Sequence, residues 1–378
     1  MERPDFRRLI LWLDATVVAV AMTVVIGGIT RLTESGLSIT EWKPIAGILP
    51  PLTDTDWAAA YAKFLQIPQA QSIHLGITLG EFKGIFWWEW AHRLIARGVG
   101  LVIAVPFVWF WLRRQLPNGL RLRLLSLPLL VLAQGALGWY MVSSGLSVRV
   151  NVSQYRLVAH LGLALVILVV ALWTSASLRA AMREAAVGAA GDAQDGGATA
   201  AVTAAVTAAP RRASAFNTRR WALVSELFAV WTFVVILSGG FVAGLRAGKI
   251  YNTFPLMDSK LVPPGYAYLD GFFTNAFENP AAAQFHHRVL AIVTVLVALG
   301  FWFWVGSANA PARIVRAQRN VALIACLQVT LGIATLLLAV PVALAALHQL
   351  TAVALLSATV LAAHAARGRV SPRPCTPP

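Results

Sequence analysis

Four of the seven histidines, His92, His160, His287 and His348, fall at matched places in two stretches of the chain. EWAHRLIA (89–96) answers QFHHRVLA (284–291), and His160 answers His348. Of the neighbours His286 and His287, only His287 aligns with His92, so His287 takes the matched role. Each half of the sequence thus offers two imidazoles on two separate apolar segments. Zinc would call for carboxylates or thiolates completing four ligands at one place. Two imidazoles on facing segments suit axial ligation of a flat macrocycle, a haem, in an apolar slot. Arg93 and Arg288 each stand beside a histidine. Either guanidinium offers a cation for a haem propionate, or simply snorkels to the membrane interface. One position breaks the match: Glu89 stands where the second stretch has Gln284. Glu89 lies three residues before His92 and so shares its helix face. A carboxylate there can exchange protons with a bound substrate or merely orient its histidine. Gln284 cannot titrate. The difference points to a reactive first half and an electron-handling second half.

The elements that must position these groups are membrane spans. The 378 residues are 58% hydrophobic and only 12% charged, a polytopic membrane composition. Eight stretches reach the ~20 apolar residues that a span needs, at 9–29, 91–112, 121–142, 156–178, 221–243, 286–306, 316–338 and 341–364. The first lacks a small-residue cleavage site and reads as a retained span. With this numbering the four matched histidines open even-numbered spans.

The net charge of +15 does not indicate a nucleic-acid partner, because the cations sort by side. If the N-terminus is cytoplasmic, nineteen Lys and Arg fall on inner segments, nine on outer ones and three at span starts. That is the positive-inside pattern. It predicts cytoplasmic termini and four histidines toward the outer side. Cys326 and Cys375 form no CxxC or CxxCH pattern, and no chemistry is assigned to them. His74 and His364 have no matched counterpart and are expected at solvent or the interface.

An Ala, Gly and Thr-rich stretch, 180–219, reads as a cytoplasmic linker. It separates residues 1–179 from 220–378, each with four spans. Gly27-Gly28 answers Gly239-Gly240, Asp14 answers Glu226, and QGALG (134–138) answers QVTLG (328–332). Four spans return the chain to its starting side, so the halves are expected to be parallel repeats about an axis along the membrane normal. The fold class is therefore an all-α polytopic membrane protein of two four-helix bundles.

GGITRLTESGLSITEWKPIAGILPPL (27–52), EFKGIFWWEWAHR (81–93), the FHHR of the sixth span and the LHQ of the eighth closely resemble the haem A synthase family, in its proteobacterial and mitochondrial branch. The resemblance covers nearly the whole chain apart from linker and tail. It implies oxidation of the haem O C8 methyl group to a formyl group through hydroxylated intermediates, with a b-type haem as cofactor. It implies that His92 and His160 flank haem O, that His287 and His348 ligate haem b, and that Glu89 is the reactive glutamate. A haem O synthase is the partner it implies, and a bacterial inner membrane is the location. Another branch carries a cysteine pair in the first outer loop, and this chain has none there, which excludes a redox disulfide at that place. Trp87, Trp88 and Trp90 fit an interfacial belt at the rim of the slot.

Histidine placement alone is equally compatible with a dihaem electron-transfer cytochrome that leaves its haems unaltered. A transporter fits less well, since transporter sites lie at the midplane. The residues name neither the electron donor nor the oxygen source, and they are compatible with a homo-oligomer.

Overall fold

The computed structural model describes residues 6–43, 45–146, 149–194 and 217–367, with 184–194 described by backbone only. Most of the expected linker and the tail beyond Arg367, with Cys375, lie outside the described residues. Eight helices are long and apolar enough to cross a membrane. They are α1 (Phe6–Leu32), α3 (Leu79–Leu112), α4 (Arg121–Ser143), α5 (Gln154–Gln194), α6 (Thr218–Gly244), α8 (Pro280–Ser307), α9 (Ala312–Leu337) and α10 (Val342–Arg367). Two short helices, α2 (Asp54–Phe64) and α7 (Phe272–Glu278), lie in the long loops after α1 and α6, the loops expected on the outer side. The described residues contain no β-strand.

Each expected span lies within or nearly coincides with one of these helices, and the largest departure at a helix start is at α3. It begins at Leu79 rather than near 91, because Thr78 and Glu81 form a capping box. Their reciprocal hydrogen bonds satisfy two of the orphan amides at the helix start. The added turns are not membrane-like in hydropathy. They hold their place by packing: Phe82 and Phe86 join Trp57, Phe64 and Leu37 in a small core beneath the outer loop. A second capping box, Thr53 with Asp56, starts α2. The whole of EFKGIFWWEWAHR is thus one continuous helix, and His92 lies several turns inside it rather than in its first turn. At the other end of the first half, α5 runs to Gln194, into the segment expected to be linker.

The contacts follow one order in both sets of four. In the first, α1 packs on α3, α3 on α4, α4 on α5, and α5 back on α1. In the second, α6 packs on α8, α8 on α9, α9 on α10, and α10 on α6. The sets meet through α1, α5, α6 and α10. Their shared core holds Leu9, Leu13, Val20, Leu165, Leu168, Val353 and Leu356. On the outward faces, Leu122, Leu132, Leu296 and Phe303 are exposed, as lipid contact requires.

Two ion pairs repeat at the same end of the molecule. Asp14 on α1 meets Arg179 on α5, and Glu226 on α6 meets Arg367 on α10. These are the acidic residues that the sequence matches to each other. Their arginine partners stand nineteen residues after His160 and His348 respectively.

The double glycines carry the approach between sets. A side chain at Gly28 would collide with Gln349 of α10, and one at Gly240 would meet Val158 and Leu161 of α5. Gln349 uses the closeness to donate from Nε2 to the Val24 carbonyl at 3.0 Å. The second glycine of each pair therefore lets one bundle seat against the other.

Candidate functional site

The first glycine of each pair faces a histidine. A Cβ placed on Gly27 would stand 2.8 Å from His92 Cε1, and one on Gly239 would stand 3.0 Å from His287 Cε1. The other two histidines are seated the same way. Gly138 on α4 backs His160, with the hypothetical Cβ 3.0 Å from Cε1, and Gly332 on α9 backs His348 at 2.8 Å. Four imidazoles, four glycines, and in each case the contact is made across two neighbouring helices. Such contacts fix where a ring can sit, because only glycine leaves room for it.

Within each half the two rings are close enough for their charges to interact, His92 with His160 and His287 with His348. The structure thus brings together the two matched-position histidines of each half, not the counterparts across the halves. Among the described residues no three His, Cys, Asp or Glu side chains gather into a metal cluster. The donor set offered is two imidazole pairs. That set and its glycine cradles fit a haem between each pair.

A glutamine stands behind each second histidine. Gln134 Nε2 donates to the His160 carbonyl at 3.0 Å and lies 3.3 Å from the ring Nε2. Gln328 Nε2 lies 3.4 Å from His348 Nε2, while His348 Nδ1 donates to the Gln328 carbonyl at 3.1 Å. In α6, Ser238 Oγ lies 2.8 Å from His287 Nδ1.

Glu89 and Arg93 are deeply engaged. The Glu89 side chain is buried, with 2% of the residue exposed, and accepts at both oxygens. Arg93 donates to Oε1 from Nε and Nη2 at 3.0 and 2.7 Å. Ser38 Oγ and the Ile39 amide donate to Oε2 at 2.8 and 2.7 Å. Arg93 continues to the carbonyls of Ile39 and Glu41. This cluster pins the outer segment that follows α1 onto α3. The second half does the same with a neutral residue: Gln284 donates to the Tyr251 carbonyl at 3.1 Å, and Arg288 donates to Tyr251 and Thr253 carbonyls at 2.6 and 2.7 Å. Both arginines therefore brace a long loop in this structure, and Arg288 Nε remains buried without a partner.

The family described as "Cytochrome oxidase assembly protein", COX15-CtaA, matches residues 10–360. The chain belongs to that family. Its similarity to individual members spans nearly full length. It is 43% identical over 364 residues to a protein named "Heme A synthase" from Chelativorans sp. (strain BNC1), covering 95% of this chain and 91% of that one. It is 43% identical over 361 residues to one of the same name from Maricaulis maris, covering 95% and 96%. A third, from Nitrosospira multiformis, is 41% identical over 364 residues, covering 94% and 93%.

In this COX15-CtaA chain the remaining histidines have ordinary partners. His74 Nε2 reaches the Glu34 carbonyl, His286 meets the Tyr266 hydroxyl, and His364 meets Ser177 and packs edge-on against Trp173. Cys326 is a free, half-buried thiol. Trp87 and Trp88 are 44% and 43% exposed, as interfacial residues are, while Trp90 donates to the Ile48 carbonyl at 3.1 Å. Sequence reasoning did not assign Ser238, Gln134, Gln328 or Ser38 to the site. The two glutamines head the matched pentapeptides QGALG and QVTLG, and that register was a usable signal for them. Ser38 lies far from Glu89 in sequence and gave none.

Proposed function

We propose that this membrane protein is a haem A synthase that oxidises the C8 methyl group of haem O to a formyl group through hydroxylated intermediates. The observation that carries the reading is the presence of two glycine-backed imidazole pairs in one chain, one for a macrocycle that is altered and one for a macrocycle that stays. The name of the relatives supports the choice of reaction over a plain dihaem cytochrome.

In this reading residues 1–179 and 220–378 are parallel repeats joined by a cytoplasmic linker at 180–219. His92 and His160 receive haem O, and His287 and His348 hold a b-type haem as axial ligands. When bound, haem b supplies reversible one-electron iron chemistry. The protein's own part is placement. Gly27 and Gly138 fix the substrate-side rings, α1, α3, α4 and α5 supply the apolar walls, and the loop braced by Glu89 and Arg93 covers the outer rim. Glu89 takes part in the oxidation as the carboxylate nearest in register to His92, the role for which Gln284 is unsuited. Arg93 and Arg288 lie beside the ligands and are available to propionates by exchange with loop carbonyls. The protein resides in the bacterial inner membrane with the sites toward the outer side, and a haem O synthase supplies the substrate.

Haem extraction from purified protein tests this directly. Chromatography is expected to return haem b together with haem O, haem A or a hydroxylated form. Recovery of unmodified b-type haem alone, from cells that make haem O, would favour the electron-transfer cytochrome. Sidedness has its own test. Ser72 and Ser259 lie exposed in the two outer loops. A cysteine introduced at either should react with an impermeant thiol reagent in spheroplasts, where the outer face is open. Reaction only after lysis would reverse the topology.

A further inference from the structure

The two histidine pairs differ at the ring nitrogen turned away from a ligated metal. We infer that Ser238 is a positioning residue that sets the tautomer and orientation of His287 and makes the second bundle the one that retains its haem; the inference rests on the proposed assignment of haem b to that bundle.

The hydrogen-bond directions carry it. Ser238 Oγ donates its hydrogen to the Val235 carbonyl at 2.7 Å. With that hydrogen committed, the oxygen meets His287 Nδ1 at 2.8 Å only as an acceptor, so Nδ1 must carry the proton. Nε2 is then left with a free lone pair for iron. The same logic fixes the His348 tautomer, because the Gln328 carbonyl 3.1 Å from its Nδ1 can only accept; the Gln328 amide 3.4 Å from His348 Nε2 gives way when iron binds there. Both rings of the second pair are held in the metal-ready tautomer by acceptors on α6 and α9.

Neither ring of the first pair has such an anchor. Ser238 precedes Gly239-Gly240, and the residue in the same register before Gly27-Gly28 is Ile26, which has no hydroxyl. His92 Nδ1 and His160 Nδ1 are both buried with no hydrogen-bond partner. A ligating histidine ordinarily donates its second N–H, and loss of that partner typically weakens metal binding by about 10–100-fold. The asymmetry is the one a turnover enzyme needs: firm axial ligands where the haem is a cofactor, looser ones where it must arrive and leave.

The test uses the full-length, haem-loaded protein. Haem b transfer to excess apomyoglobin and the haem b midpoint potential are measured for wild type, Ser238→Ala and Ser238→Thr. Ser238→Ala should release haem b about 10–100-fold faster. Its potential should rise, because an imidazole whose Nδ1–H has lost the Ser238 acceptor and keeps only the nearby Val235 carbonyl donates less charge to ferric iron. Ser238→Thr, which keeps the hydroxyl, should restore both. Ser238→Cys, with a weaker acceptor, should fall between and serves if the alanine variant does not accumulate. Wild-type potential and release in Ser238→Ala, or in Ser238→Cys where that variant stands in for it, overturn the inference alone. A wild-type protein that carries no haem b overturns the assignment beneath it as well.

Discussion

The first and second bundles share a way of holding their histidines and differ in how freely those histidines can move. Glycine backs every ring, glutamine stands behind each second ring, and an arginine braces an outer loop in both. Around that common frame the first bundle is looser. Its Nδ1 atoms lack acceptors. A groove of about 430 Å³ opens along α4, lined by Trp42, Val131, Leu132, Gly135, Ala136 and Trp139, whereas Ala325, the counterpart of Val131 on α9, is buried at 2% exposure. The first bundle also carries the more elaborate outer cap, with its own aromatic core and a charged Glu89–Arg93 brace where the second has Gln284–Arg288. On the proposed function, geometry common to both bundles serves haem binding in general. The differences are where substrate handling should be sought.

The largest expected effect comes from removing ligands one bundle at a time. Two imidazoles on one iron give a six-coordinate, low-spin haem. His287→Ala or His348→Ala should abolish the low-spin b-type spectrum of the purified protein. His92→Ala or His160→Ala should leave that spectrum largely in place while haem A production falls to background. Equal loss of the b-type spectrum from all four variants would break the comparison, since it would mean that the two bundles do not hold separate haems.

Next in size is the exchange at the one position where the brace differs. Glu89→Gln copies Gln284 in shape and removes the titrating proton. If Glu89 moves protons in the oxidation, haem A output should fall by about 10²–10⁴-fold while haem b stays bound. A hydroxylated intermediate in the extract would show that the second oxidation depends on it more than the first. The geometry sharpens the alternative, because Ser38, Ile39 and Arg93 already occupy both carboxylate oxygens. Output within a few fold of wild type would make Glu89 a loop anchor only.

How much of this was legible in the sequence follows from which interactions are local. The eight spans read out directly, since lipid demands long apolar helices. The two histidines of each half were legible as candidates too, because they open matched spans in the two halves. The start of α3 did not, because residues 79–90 are held in helix by a capping box and by packing on a loop core rather than by hydropathy. The Glu89 cluster was only half visible. Arg93 is one turn away, but Ser38 and Ile39 approach through the tertiary fold of the outer loop. Ser238 was hidden in a different way. It sits one residue before the double glycine that the repeat singled out, and its importance lies in not being matched by Ile26.

The smallest expected effect separates the glycine cradles from glycines that merely occur in the helices. In Gly27→Ala and Gly239→Ala the new methyl group would lie 2.8 and 3.0 Å from an imidazole carbon, inside contact distance, so the ring or the helix must shift. Overpacking of that kind costs about 1–3 kcal/mol, set against the roughly 1 kcal/mol that alanine returns in helix propensity. Gly135 has nothing within 4 Å of the same position, so Gly135→Ala should be neutral or slightly stabilising in a thermal unfolding scan. The two cradle variants should also differ from each other. His287 is tied to Ser238 at Nδ1 and cannot turn without losing that bond, so Gly239→Ala should broaden or shift the low-spin haem b spectrum. His92 has no such tie and can rotate away, so Gly27→Ala should lower haem A output with little change in melting temperature. Equal spectral and thermal responses from the two variants would remove the distinction between a held ring and a free one.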